Sequence, residues 1–70
     1  MSELKHIILG NHPDSNRYTL TRIFRNGEKR LWQTFVTRKS AINTALTEAK
    51  KFKVPIYNEL LGKHRRKLLQ

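Results

Sequence analysis

Cysteine is absent from this 70-residue chain, and acids are scarce, five against fifteen lysines and arginines. The first absence excludes disulfides, thiolate metal sites and thiol nucleophiles, and fits a reducing cytoplasm. The second leaves a net charge of +10, which points to polyanionic partners. Glu3, Asp14, Glu28, Glu48 and Glu59 are too dispersed to form the carboxylate cluster of a metal-dependent nuclease. Gly10, Gly27 and Gly62 stand alone, so there is no glycine-rich phosphate loop. No apolar run is long enough to span a membrane, and Met1-Ser2-Glu3-Leu4-Lys5 with the short run Ile7-Ile8-Leu9 lacks the pattern of a signal peptide. A chain this short buries only about 60% of its unfolded surface. One small domain is therefore expected, with no enclosed catalytic cavity, no cofactor and no enzymatic activity.

The patterning predicts an α+β domain. Residues 4–9 read as a strand, closed by the turn-forming run Gly10-Asn11-His12-Pro13-Asp14-Ser15-Asn16. Residues 17–25 and 28–37 read as a hairpin around Asn26-Gly27, a pair that tolerates a type I′ turn. A two-residue loop sets Arg25 opposite Glu28, Ile23 opposite Arg30, Thr21 opposite Trp32 and Thr19 opposite Thr34; a longer turn over Arg25 to Glu28 is the alternative. In the two-residue register, Tyr18, Leu20, Phe24, Leu31 and Phe35 share a core face with Arg22, Lys29 and Gln33. The opposite face then carries Arg17, Thr19, Thr21, Ile23, Arg25, Arg30, Trp32, Thr34 and Val36. Residues 40–52, capped by Ser40, have Ala41, Ile42, Ala45, Leu46, Ala49 and Phe52 at helical spacing. Pro55 breaks that helix, and Ile56, Tyr57, Leu60, Leu61, His64 and Leu68 predict a second, basic helix over residues 55–68. The expected fold is thus a small antiparallel sheet of two or three strands packed on one helix, plus a C-terminal basic helix.

Function is sought where cations and hydrogen-bonding side chains share a surface. Arg17, Arg25, Arg30 and Trp32 with Thr19, Thr21 and Thr34 form such a surface in the expected hairpin, and a two-stranded ribbon can enter a DNA major groove. Lys63, Arg65, Arg66 and Lys67 are expected to hold phosphates. Duplex DNA is favoured over RNA, where Trp32, Tyr18 or Tyr57 would instead stack on unpaired bases. An inhibitor or recruiter that docks a protein, or an anionic membrane, through Leu60, Leu61 and Leu68 is the reading from another class. His6, His12 and His64 lack ligand spacing, so no metal site is expected. His12-Pro13-Asp14 reads as a turn rather than an acid–base pair.

From Arg17 to Phe52 the order of two strands about a tight turn, the ending Phe35-Val36-Thr37, and a helix opening Lys39-Ser40-Ala41 resembles the AP2-like and integrase arm-site-binding amino-terminal domains. That resemblance implies a three-stranded sheet backed by a helix, with Arg17, Arg25, Arg30 and Trp32 at strand positions that contact bases and phosphates. It also implies an accessory role in transcription or recombination. The chain lacks that family's glycine-rich passage before the helix.

Overall fold

The computed structural model describes residues 3–60 and 67–68, with the side chain of Lys67 left aside. Strands β1 (Leu4–Asn11), β2 (Tyr18–Phe24) and β3 (Lys29–Phe35) are followed by helix α1 (Arg38–Phe52), strand β4 (Ile56–Asn58) and the two-residue strand β5 (Lys67–Leu68). They form one mixed sheet in the order β3-β2-β1-β4-β5, antiparallel except where β4 runs parallel to β1. Ile7, Leu9, Leu20, Phe35 and Ile56 bury one sheet face against Ala41, Ala45 and Ala49 of α1. The alanine stripe lets helix and sheet backbones approach closely, which suits a chain with few large core residues. Leu4, Tyr18, Trp32, Ile42, Leu46, Val54 and Leu60 flank this core.

The expected two- or three-stranded sheet and the C-terminal basic helix are both corrected. β4 and β5 occupy parts of the 55–68 span that was read as helix, and residues 61–66 of it lie outside the described residues. The physical reason is the open edge of β1. The Ile7 N–H donates to the Pro55 carbonyl at 3.1 Å and the Glu59 N–H to the Leu9 carbonyl at 2.8 Å. Ile56 is fully buried beside Ile7. Pairing a buried backbone edge and filling the core outweigh a helical periodicity that Pro55 and Gly62 already weaken.

The two-residue hairpin register is also corrected, and the longer-turn alternative over Arg25 to Glu28 is the one that forms. Its loop is three residues, with the Gly27 N–H on the Phe24 carbonyl, the Phe24 N–H on the Glu28 carbonyl, and only Gly27 at positive φ (88°). Near the turn, Thr21 faces Leu31, Arg22 faces Arg30 and Ile23 faces Lys29; farther out, Leu20 faces Gln33, Thr19 faces Thr34 and Tyr18 faces Phe35. Trp32 is the extra residue that reconciles the two registers, a β-bulge. Of the expected pairs, Thr19 with Thr34 forms, and those of Ile23 and Thr21 do not.

Helix α1 begins earlier than expected. Thr37 is its N-cap, accepting from the Ser40 N–H at 3.2 Å, so Ser40 lies within the first turn. At the other end the Lys53 and Val54 N–H groups both donate to the Ala49 carbonyl, and Lys53 adopts φ 55°. A left-handed conformation costs a residue with a Cβ about 1 kcal/mol relative to glycine. Lys53→Gly is therefore expected to raise unfolding stability by about 0.5–1 kcal/mol, measured as a higher urea midpoint at unchanged slope.

Candidate nucleic-acid interface

The bulge at Trp32 decides which groups the hairpin presents. With one extra residue, the indole turns to the helix side, where it is half-buried against the core and stacks beneath the Arg22 guanidinium, 4.2 Å from the ring centroid. The same guanidinium donates from Nη2 to Glu48 Oε1 of α1 at 2.6 Å. Trp32, Arg22 and Glu48 thus form a stack that ties β3, β2 and α1 together, with Glu48 only 12% exposed. A half-buried ion pair with one partner removed leaves an uncompensated charge, so this pair holds the helix in register with the sheet.

The remaining arginines of the expected reading surface do not converge. Arg25 lies in the loop, its Nε 3.2 Å from Glu3 Oε2, and Arg30 places its Nε 2.8 Å from Glu28 Oε1. Arg30 shares the helix-side parity of Arg22, whereas Arg17 precedes β2 and is exposed. Thr19, Thr21 and Thr34 do lie together on the sheet face away from α1, Thr19 being buried, but Lys29 and Leu31 take the places expected for Arg30 and Trp32. Leu31 is 60% exposed, correcting its assignment to the core.

The C-terminal cations Lys63, Arg65 and Arg66 fall outside the described residues, as does Leu61; Lys67 begins β5. Leu60 packs on the core and its carbonyl accepts from Asn11 Nδ2, while Leu68 is exposed in β5. The expected apolar side of a last helix, shared by Leu60 and Leu68, is therefore not formed. His12 is engaged locally, its Nδ1 accepting from the Asp14 backbone N–H at 3.1 Å. Among the described residues no three His, Cys, Asp or Glu side chains could hold a metal ion, and no helix is long and apolar enough to cross a membrane.

A different cationic surface emerges on α1. Opposite the buried Ala41, Ala45 and Ala49 run Lys39, Asn43, Thr47 and Lys50, all exposed and spaced i, i+4, i+8 and i+11. At ~1.5 Å per residue this stripe is about 16 Å long. Lys51 extends it, and the only acid of the helix, Glu48, is turned inward onto Arg22. Asn43 keeps its side-chain amide exposed, while Thr47 Oγ1 donates to the Asn43 carbonyl at 3.0 Å. The signal for this stripe was present in the sequence as the polar side of an amphipathic helix, but such sides are ordinarily only solvated. What singles this one out is the ion pair that removes its acid.

Comparison with known protein families, with curated proteins and with solved structures returned no match.

The stack makes a structural role for Trp32 testable. Trp32→Ala is expected to cost about 2 kcal/mol of stability, somewhat less than a fully buried aromatic, whereas Arg30→Ala changes it by under about 0.5 kcal/mol. Paired urea melts with tryptophan-independent detection by circular dichroism check both values.

Proposed function

We propose that this protein binds duplex DNA without catalysing a reaction, through the solvent face of α1. The observation that supports the reading is the acid-free stripe Lys39, Asn43, Thr47 and Lys50, with Lys51 beside it. An α-helix is about 10–12 Å across and the major groove about 12 Å wide. A helix entering the groove brings an exposed asparagine to base edges, where it can bond adenine N6 and N7, while lysines at its two ends reach the flanking phosphates. The cations supply affinity by counterion release, and Asn43 supplies what base preference there is.

The ion pairs of Arg22, Arg25 and Arg30 assign these arginines to the scaffold in this reading, with Trp32 beside them. Lys63, Arg65, Arg66 and Lys67 add charge that favours the same polyanion. The cysteine-free composition fits action in the cytoplasm on DNA, as an accessory or regulatory protein.

If about five phosphates are neutralised, log affinity falls with log salt at a slope near roughly −4.5. Lys39→Glu with Lys50→Glu is expected to weaken binding to a mixed-sequence duplex by more than about tenfold, about 1.4 kcal/mol, and to flatten that slope. Arg25→Ala with Arg30→Ala is expected to change affinity less than about threefold. Fluorescence anisotropy at four salt concentrations reads all three; a flat salt dependence, or equal losses in the two double variants, overturns the reading.

A further inference from the structure

Asn26 and Gly27 form the one asparagine–glycine pair of the chain, and the proposed interface on α1 does not use them. Both are exposed at the hairpin tip, and a Cβ set on Gly27 would meet no atom within 4 Å. The Gly27 nitrogen is therefore screened by no side chain of its own residue or of a neighbour packed on it. The Glu28 N–H donates to Asn26 Oδ1 at 2.9 Å. That Asx turn folds the side-chain amide back over the Gly27 peptide and draws electrons from its carbonyl carbon. One contact opposes reaction: the Gly27 N–H is itself held on the Phe24 carbonyl at 2.9 Å. The other asparagines of the described residues are placed differently. Asn58 makes a matching bond, its Oδ1 accepting from the Leu60 N–H at 2.9 Å, but a glutamate follows it, and the Glu59 N–H is fixed on the Leu9 carbonyl at 2.8 Å. Asn11 gives its Nδ2 to the Leu60 carbonyl, and Asn43 stands within α1.

We propose that Asn26 is a site of spontaneous deamidation, gated by the bond between Gly27 and Phe24. When the loop tip opens, the Gly27 amide gives its proton to solvent and its nitrogen attacks Asn26 Cγ. The new bond closes a five-membered imide. The bond from Cγ to Nδ2 breaks, and ammonia leaves after taking a proton from water. A water molecule then adds to one imide carbonyl. Opening at Cγ gives aspartate, and opening at the former main-chain carbonyl gives isoaspartate, with no oxidant or reductant involved. The two products differ in what they do to the hairpin. Aspartate keeps the three-residue loop and an oxygen for the Glu28 N–H, so the register survives. Isoaspartate routes the main chain through Cβ and Cγ and lengthens the loop by one atom, and strand register follows loop length. This product is expected to lose the bond between Gly27 and Phe24 and to loosen the adjoining pairs of Ile23 with Lys29 and Arg22 with Arg30. Arg22 carries that disturbance to the indole of Trp32 stacked on it.

The test incubates the full chain at neutral and at mildly alkaline pH, both folded and in unfolding guanidinium chloride. Peptide mapping by mass spectrometry locates the products, and electron-transfer fragmentation tells isoaspartate from aspartate. In the folded chain Asn26 is expected to react at least about tenfold faster than Asn43 or Asn58. It should react more slowly there than in denaturant, where the Phe24 carbonyl no longer holds the Gly27 N–H, and faster as pH rises. Asn26→Asp, which carries the aspartyl product from the start, should keep the wild-type urea midpoint and tryptophan fluorescence. The isoaspartyl form, separated by chromatography, should melt at a lower midpoint with altered tryptophan fluorescence. A folded chain in which Asn26 reacts no faster than Asn43 and Asn58, or equal rates at Asn26 folded and unfolded, would overturn the proposal. So would an isoaspartyl form with the wild-type midpoint and fluorescence, which would separate the loop from the register.

Discussion

A single extra residue in β3 organises much of the molecule. The three-residue loop at Gly27 displaces every partner near the turn by one position, and the bulge at Trp32 restores the pairing beyond it. Side chains in a strand alternate between faces, so a displacement of one residue exchanges them. Lys29 and Leu31 therefore go to the open face while the indole goes to the helix side. There it meets Arg22, whose guanidinium is shared between the ring and Glu48. The stacking of Trp32 on Arg22, and with it the link from β3 through Arg22 to the only acid of α1, follows from that exchange.

The division of charge among the described surfaces is the basis of the proposed function. Glu3, Glu28 and Glu48 each engage an arginine of the hairpin, leaving the outer side of α1 as a surface of lysine, asparagine and threonine. Among the described residues, the far side of the sheet carries His6, Ile8, Thr19, Thr21, Ile23, Lys29, Leu31, Thr34 and Tyr57. In the proposed reading a polyanion is attracted to the first of these surfaces.

The parts of the fold that were legible in the sequence rest on local chemistry. The first strand, the hairpin strands and the helix are each signalled by residues a few positions apart and are present with ends shifted by a few residues, β1 running on through Gly10 and Asn11 of the expected turn. The end of the helix before Pro55 has the same origin. The nucleic-acid side chains were less legible because their usefulness depends on which face they occupy. Arg25 and Arg30 have the right chemistry, yet each is held by a carboxylate nearby. Lys39, Asn43 and Lys50 look in sequence like any solvated helix side.

What the amino-acid order determined by itself was the charge, the alternation within strands and the stripe of alanines, because these depend on composition and on spacings within one element. The tertiary structure alone decided that Ile56 enters the sheet beside β1 and that Trp32 turns inward. Both outcomes come from satisfying backbone hydrogen bonds and filling space between segments distant in the chain, terms that no window of a few residues contains.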